Sequence, residues 1–197
     1  MVTLNESTIM DTRQQHNRTS GENRDQAGLG YVEKRLRKTV VNPTASTDDW
    51  YTPQWIIDTL GPFDLDPCAA PEDVRPFPTA TTMLTRQDDG LAHEWHGTVW
   101  MNPPYSRALL RQFCERMARH GDGIALLANR QDNLLWQEVI FSTAASMIFM
   151  RHRVRFIRPD GTTGSPFFGS CLVAWGATCD RRLRQSGIEG KYVVLNV

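Results

Sequence analysis

The apolar run from Ile124 to Ala128 limits the possible folds of this 197-residue chain more than any other segment. A strand whose five consecutive residues are all apolar has no polar face, so both of its faces must be covered. The run follows a helical pattern that Gly121-Asp122-Gly123 is expected to end. Because helices that alternate with such strands pack on the faces of a mostly parallel sheet, the sequence predicts an α/β fold.

Other segments repeat this alternation of strands and helices. Thr52 is a suitable cap and Pro53 a suitable first residue for a helix that Gly61-Pro62 ends. The pattern predicts further strands over residues 63–66, 82–85, 98–101 and 147–150, and further helices over 106–120 and 134–141. Segments 154–157 and 171–175 flank a turn-rich stretch, which predicts an antiparallel hairpin at one edge of the sheet.

The charge balance gives little indication of a partner. Lys+Arg and Asp+Glu number 22 each, so the chain lacks the overall positive charge of many nucleic-acid-binding proteins. From Arg151 to Val197, however, basic residues outnumber acidic ones by eight to three. That excess predicts either a surface that faces phosphates or an ordinary solvated face.

The first 45 residues are polar and predict a disordered or loosely attached arm, followed by a single domain over residues 46–197. The sequence has neither a signal-peptide layout nor an apolar run of the about 20 residues needed to span a bilayer. Its four cysteines form no CxxC pair, and no metal site is predicted. These features predict a cytoplasmic protein that needs neither a membrane nor a protein partner.

The tetrapeptide Asn102-Pro103-Pro104-Tyr105 gives the strongest indication of chemistry. Neither proline can donate a backbone hydrogen bond, so the tetrapeptide is expected just beyond a strand end, where α/β proteins bind ligands. The side-chain oxygen of Asn102 and the carbonyl of Pro103 could accept both hydrogens of an exocyclic amino group. Tyr105 could stack on a planar ring. The alternative is an ordinary proline-rich turn with a core tyrosine.

This tetrapeptide resembles the catalytic motif of amino-group methyltransferases that use S-adenosylmethionine. The surrounding chain, roughly Thr47 to Gly176, resembles the phage and prophage DNA N6-adenine methyltransferases (Dam-type). The segments that carry the resemblance are Asp49-Trp50-Tyr51-Thr52-Pro53, Phe63-Asp64-Leu65-Asp66-Pro67-Cys68-Ala69, Asp88-Asp89-Gly90-Leu91 with Trp95, Asn102-Pro103-Pro104-Tyr105-Ser106, Arg153-Val154-Arg155-Phe156 and Phe168-Gly169-Ser170-Cys171-Leu172-Val173. The resemblance implies a Rossmann-like methyltransferase fold with a doubly wound sheet.

The resemblance also implies a reaction, the transfer of a methyl group from S-adenosylmethionine to the N6 amine of adenine in double-stranded DNA. Asn102 and Pro103 would hold the amine, and Pro104 and Tyr105 complete the catalytic motif. The adenine would have to be flipped out of the duplex and held on Tyr105. Phe156 could form the other side of the base pocket, or it could be a buried strand residue. Candidate DNA contacts are Arg130, Arg153 and Arg155.

Residues for the cofactor are predicted in three segments. Asp64 and Asp66 bracket a strand end, where a carboxylate could meet the positive charge of the cofactor or act only as a turn residue. The resemblance assigns one acid of the pair Asp88 and Asp89 to the adenine of the cofactor. The sequence does not decide between the two, although Asp88 is slightly better placed. The complete predicted set is Trp50, Thr52, Pro53, Asp64, Asp66, Pro67, Cys68, Asp88 and Asp89. The glycine-rich phosphate turn of dinucleotide-binding folds is missing, and no ribose-binding acid is evident.

Three other functions fit parts of the sequence. A protein glutamine methyltransferase carries the same tetrapeptide, but it usually also has a glycine-rich cofactor loop and an N-terminal helical domain. The motif of an N4-cytosine methyltransferase more often begins with serine. A non-catalytic module that binds DNA or S-adenosylmethionine would not need the intact tetrapeptide. The modified nucleoside formed on DNA distinguishes these alternatives.

Overall fold

The computed structural model describes residues 50–196. The predicted arm over residues 1–45 and the predicted domain start near Ser46 lie outside these residues and stay predictions. In chain order the elements are α1 (Gln54–Leu60), β1 (Leu65–Asp66), β2 (Thr82–Met83), β3 (Val99–Met101), α2 (Arg107–His120), β4 (Gly123–Ala128), the π-helix π1 (Trp136–Ile140), α3 (Phe141–Thr143), β5 (Ser146–Met150), β6 (Phe156–Ile157), β7 (Thr163–Gly164), β8 (Ser170–Trp175), α4 (Ala177–Gln185) and β9 (Gly190–Val194).

A seven-stranded sheet in the order β2-β1-β3-β4-β8-β5-β9 forms the centre of the fold. The pairings β1–β2, β1–β3 and β3–β4 are parallel, and β8 is antiparallel to both β4 and β5. At the far edge, β9 is antiparallel to β5. Strands β1 to β5 therefore all run in one direction, which confirms the predicted α/β class with a largely parallel sheet.

The prediction for the segments 154–157 and 171–175 was wrong in one respect. The first segment forms β6, which pairs with β7 in a separate two-stranded sheet. The second forms β8, which lies inside the large sheet between β4 and β5 instead of at its edge. All six residues of β8 are buried. The five apolar residues that follow Ser170 in β8 require cover on both faces, as the apolar run of β4 does.

Two hydrophobic cores lie on opposite faces of this sheet, because alternate residues of each strand point to opposite sides. In β4, Ala125 and Leu127 pack with side chains of α2 and π1, whereas Ile124 and Leu126 pack with side chains of α1 and α4. Helices therefore cover both faces, as the unbroken apolar run of β4 predicts. Among residues 50–196, none of the helices combines the length and apolar character needed to cross a bilayer.

The predicted ends of α1 differ from the observed ones by one residue at its start. The helix begins at Gln54, and Pro53 lies before it with extended backbone angles (φ −70°, ψ 143°). Thr52 is therefore not the cap, and it is instead a buried residue at the edge of the cavity described below. Gly61 ends the helix as predicted, with its N–H donating to the carbonyl of Ile57.

Candidate active site

A cavity of about 600 Å³ opens where β1 and β3 end. This size is typical of pockets that bind small molecules. Parallel neighbouring strands end at the same edge of a sheet, so the segments that follow β1 and β3 are brought together there. Of the residues predicted for catalysis or cofactor binding, those that line the cavity are Trp50, Thr52, Asp66, Pro67, Cys68, Asp89, Asn102 and Pro104.

Asn102 immediately follows β3, and its side-chain amide has a fixed orientation. Its Nδ2 donates to the backbone carbonyl of Trp50 at 2.6 Å. Its Oδ1 is buried and accepts no hydrogen bond from the side chains or backbone that the structure describes. An unpaired buried oxygen costs about 1–3 kcal/mol, so such atoms mark places where a donor is missing. The oxygen of Asn102 thus retains an unused capacity to accept a hydrogen bond.

The segment that orients Asn102 is itself held by the β6–β7 hairpin. Tyr51 pairs with Ile157 through two backbone hydrogen bonds of 2.8 and 2.9 Å. The guanidinium of Arg158 lies 4.9 Å from the centre of the Trp50 ring, a distance typical of a cation–π contact. Phe156 meets the same ring edge-on at 6.0 Å. The hairpin therefore fixes the backbone carbonyl to which Asn102 donates.

Phe156, for which the sequence allowed a place beside the flipped base or in the core, does not line the cavity. Its side chain is fully buried in the core that includes residues of α1 and α4. Of the two interpretations that the sequence allowed, the structure favours the buried strand residue. Its ring packs in this core, with Trp50 against it.

Asp66 ends β1 with its carboxylate buried beside the cavity. One oxygen accepts the backbone N–H of Cys68 at 2.9 Å, and the other accepts the hydroxyl of Thr79. Burial raises the pKa of Asp66 from 3.8 to about 6, although these hydrogen bonds and the nearby Arg75 act in the opposite direction. A positively charged ligand in the cavity would favour the ionised form of this carboxyl group.

Asp64 lies outside the cavity, and its predicted contact with the cofactor is not supported by its position. Its carboxylate accepts the backbone N–H of Thr98 at 2.7 Å. Gly97 approaches the same carboxylate so closely that a Cβ added there would lie 2.2 Å from the Asp64 oxygen. Although Asp64 and Asp66 are two residues apart, Asp64 precedes the short strand β1 and Asp66 is its last residue. Asp64 therefore supports the entry to β3.

The structure places Asp88 and Asp89 in different surroundings. Asp88 is exposed, and its carboxylate accepts hydrogen bonds from the backbone N–H and the hydroxyl of Thr85. These bonds lower the pKa of Asp88 and stabilise the turn, and the residue does not line the cavity. Asp89 lines the cavity instead. Its backbone has a positive φ of 53°.

Gly90 allows the turn that carries Asp89 to lie directly on the segment after β1. A Cβ at this position would lie 2.0 Å from the carbonyl oxygen of Pro67, far inside van der Waals contact. The carbonyl of Gly90 also accepts a 2.8 Å hydrogen bond from the buried indole N–H of Trp95. Two walls of the cavity are thus joined through a glycine that the sequence analysis left without a role.

We expect Gly90→Ala to destabilise the fold by at least about 2 kcal/mol, because the added methyl group displaces backbone instead of a flexible side chain. Urea unfolding followed by circular dichroism measures this change. Gly169→Ala is the matched control, since the nearest atom to its added Cβ would be 3.9 Å away. Equal unfolding midpoints for the two variants would contradict the packing role of Gly90.

The remaining members of the predicted set are not all in the cavity wall. Pro53 and Pro103 are buried, and Tyr105 is half-buried without lining the cavity, so stacking on Tyr105 stays a prediction. Burial raises the pKa of the Cys68 thiol well above its usual range, which keeps the thiol protonated. No group of three or more His, Cys, Asp and Glu side chains within the described range 50–196 is arranged to bind a metal ion.

Part of the cavity comes from the stretch between Ala70 and Thr82, whose sequence is rich in proline and threonine and predicts no regular element. Thr79 binds Asp66, Arg75 lies nearby, and the half-buried Phe77 offers a flat apolar face. The acidic residues of this stretch, Glu72 and Asp73, are exposed and do not line the cavity. The only signal for this wall is its high content of proline and threonine, which does not reveal a binding role.

The three arginines predicted to contact DNA lie outside the cavity and are exposed. Arg130 follows β4, with its guanidinium 4.7 Å from the centre of the Phe168 ring. Arg153 donates to the carbonyl of Pro166 at 2.9 Å. Arg155 lies on the β6–β7 side and donates to the Thr163 hydroxyl at 3.4 Å. Arg130 and Arg153 follow the carboxyl ends of β4 and β5, at the sheet edge that carries Asn102.

Sequence comparisons match this chain to known proteins. The family model of the DNA N-6-adenine-methyltransferases (Dam) matches residues 39–180. A DNA N-6-adenine-methyltransferase of Haemophilus phage HP1 is 28% identical over 120 residues, which cover 56% of this chain and 66% of that protein. One of Escherichia phage T1 is 28% identical over 128 residues, which cover 60% of this chain and 51% of that protein. The match therefore spans just under two thirds of the protein of phage HP1 and about half of the protein of phage T1. No solved structure matches significantly.

Proposed function

Because the chain belongs to the DNA N-6-adenine-methyltransferase (Dam) family, we propose that it transfers a methyl group from S-adenosylmethionine to the N6 amine of adenine in DNA. The unpaired Oδ1 of Asn102 supports this proposal most directly. It is a preoriented acceptor at the edge of a cavity of suitable size, and the reaction requires an acceptor for an amino group. The sheet is then a Rossmann-like methyltransferase fold, in a domain that extends from about residue 46.

The residues of the cavity fit S-adenosylmethionine, which would supply a methyl group made electrophilic by its positively charged sulfur. Asp66 offers a buried carboxylate to a cationic ligand. Asp89 would accept a hydrogen bond from the adenine amino group of the cofactor, in place of Asp88. Trp50, Thr52, Pro67 and Cys68 complete the wall that we assign to this ligand. Pro53 lies behind this wall, next to Thr52.

The protein would activate the target amine by orienting it. The lone pair of an aromatic amine is delocalised into the ring, so the amine is a poor nucleophile. Hydrogen bonds to Asn102 Oδ1 and to the Pro103 carbonyl favour a tetrahedral nitrogen with its lone pair available. The protonated Cys68 thiol is not a nucleophile, which agrees with direct transfer without a covalent enzyme intermediate. The surplus proton leaves to water, since an amide is not a strong base.

The DNA substrate would be double-stranded, with the target adenine flipped into the site and stacked on Tyr105. A stacked base cannot reach an acceptor at the edge of a cavity of this kind. The exposed Arg130, Arg153 and Arg155 would contact phosphates, which position a protein on DNA without reading its sequence. The host cytoplasm is the compartment in which such a phage-type enzyme would meet its DNA.

The proposal is tested by incubating the protein with radiolabelled S-adenosylmethionine and unmethylated DNA, and by identifying the labelled nucleoside after digestion. We expect label in N6-methyladenine, and sequencing of the methylated positions then gives the recognition sequence. Label in N4-methylcytosine would contradict the choice of base. Absence of label, with binding of S-adenosylmethionine intact, would favour a protein substrate or a non-catalytic module.

A further inference from the structure

Two adjacent phenylalanines stand out on the surface of the protein. Phe167 is 83% exposed and Phe168 is 44% exposed, although aromatic side chains bury more surface than most others when a chain folds. Their rings meet edge-on at 5.4 Å and form one apolar projection, which we call the Phe167–Phe168 tip. An exposed aromatic pair of this kind indicates a surface that contacts a partner.

The loop that carries this tip is held in place by contacts on both sides. The N–H of Asn129 donates to the carbonyl of Gly169 at 2.8 Å, which extends the β4–β8 pairing into the loop. On the other side, Arg153 donates to the carbonyl of Pro166 at 2.9 Å. The hydroxyl of Ser165 donates to the carbonyl of Val154 at 2.8 Å. The exposed rings therefore project from a supported loop.

The tip lies at the same edge of the sheet as Asn102. The register pairs Ala128, the last residue of β4, with Ser170, the first residue of β8. The neighbouring β3 runs parallel to β4 and leads into Asn102 at the same edge. Because adjacent strands are about 4.8 Å apart, the axes of β3 and β8 are about 10 Å apart across the sheet. Met101, the residue before Asn102, pairs with Ala125, and β4 continues for three more residues to Ala128. The tip therefore lies further along the strand direction than Asn102 does.

The charges around the tip favour a nucleic acid over an apolar protein surface. Arg130 lies against the Phe168 ring, and the exposed Arg153 supports the base of the loop. Arg151 and His152 follow β5 at the same edge, where they approach the carboxylate of Glu189 at 3.5 Å. An exposed ring whose two chain neighbours each contact an arginine can place its apolar face between bases while the guanidinium groups contact phosphates.

From these observations we infer that Phe167 enters the DNA duplex at the target base pair and fills the space that the flipped adenine leaves. This inference rests on the proposed function, and it assigns one residue to the extrusion of the base. Apolar side chains that insert between base steps offset part of the cost of unstacking. Phe168 would remain against Arg130 and support the inserted ring. Phe167 is then a positioning residue that acts on the DNA and does not touch the transferred methyl group.

The test compares methyl transfer to two duplexes that carry the recognition sequence found by mapping methylated adenines. In one the target adenine is paired with thymine, and in the other it faces an abasic site, so that extrusion is easier. We expect Phe167→Ala to lower kcat/KM on the paired duplex on the order of 10–100-fold, because the unstacking cost is no longer offset. On the abasic duplex we expect the kcat/KM of Phe167→Ala to lie within about threefold of the wild-type value. Phe167→Trp should retain most activity on both.

Val194→Ala is the matched control. Val194 is also an exposed apolar residue, at 45%, and it pairs with Ser146 at the opposite end of β5. If Phe167→Ala resembles this control on both duplexes, or loses equal activity on both, the role in extrusion is wrong. A changed oligomeric state of Phe167→Ala with unchanged kinetics would likewise overturn it and assign the tip to a protein contact. A wild-type protein that methylates neither duplex would instead contradict the proposed function itself.

Discussion

Asn102→Ala is expected to lower the rate of adenine methylation about 10²–10³-fold, the usual loss when a preoriented hydrogen-bonding group is removed from an active site. The alanine removes both the unpaired Oδ1 and the 2.6 Å hydrogen bond to the Trp50 carbonyl. Since Asn102 itself is not in the proposed cofactor set, the Kd for S-adenosylmethionine should change less than about threefold. Single-turnover methylation and equilibrium binding measure the two quantities separately.

Two further variants make this result specific. Asn102→Asp keeps an acceptor but places a second oxygen against the Trp50 carbonyl, so we expect a loss smaller than that of the alanine variant. Asn196→Ala is the structural control, because Asn196 donates at 3.0 and 2.8 Å to the carbonyls of Phe141 and Ala144. It should lose stability and retain activity. Wild-type turnover by Asn102→Ala would show that its oxygen does not hold the amine.

Binding of S-adenosylmethionine is expected to weaken as the pH falls through about 6, the raised pKa of Asp66. Below that pH the carboxyl group is protonated and no longer attracts a cation. Binding of a cation then requires loss of the proton, so the Kd should rise up to about tenfold for each pH unit below 6. Asp66→Asn should bind weakly and without this pH dependence. Isothermal titration calorimetry between pH 5 and 8 measures both.

The exposed Asp88 provides the control for this experiment. Hydrogen bonds from Thr85 lower the pKa of Asp88, so it stays ionised across the whole pH range. Asp88→Asn should therefore retain both the affinity and the pH dependence of the wild type, whereas Asp89→Asn should weaken binding at every pH. A pH dependence that persists in Asp66→Asn would assign the titration to another group.

The carboxyl group of Asp66 affects the stability of the fold with a pH dependence opposite to its effect on cofactor binding. Its pKa in the folded protein is about 6 and its usual value is 3.8, so the folded state binds the proton more tightly than the unfolded state. Its contribution to stability is greatest below pH 3.8 and is lost as the pH rises towards 6. At pH 7 the buried charge should cost as much as roughly 3 kcal/mol. Asp66→Asn is therefore expected to be more stable than the wild type while it binds the cofactor poorly.

The sequence was most informative where one residue type can serve only one structural purpose. The proline pair after Asn102 cannot enter a sheet, and the unbroken apolar run of β4 cannot face water, so the strand-end site and the doubly covered sheet were predictable. The family resemblance read from these segments is confirmed by the family match. Asp66 was predicted by its place at a strand end, and the cavity that it lines agrees with that interpretation.

Other features depend on contacts between distant segments and were not predictable from local patterns. Asp64 and Asp66 look equivalent in sequence, and only the approach of Gly97 separates them. Thr79 supports Asp66 from a stretch without periodicity. The place of β8 inside the sheet follows from its pairing with β4. In this pairing Ala125 lies opposite Val173, which is 48 residues later in the chain. Local propensity carries no information about such a pairing.

The position of β8 also has a consequence for the order in which the chain can fold. Until residues 170–175 have been synthesised, β4 lacks the neighbour that β8 supplies, and one side of an almost wholly buried strand is left without its hydrogen-bonding partner. Such an apolar open edge is a template for pairing between chains. Nascent chains that have not yet reached β8 should therefore be the species most prone to aggregation and most dependent on chaperones. Pairings over long sequence separations form slowly, so closure of the sheet by β8 is expected to limit the folding rate.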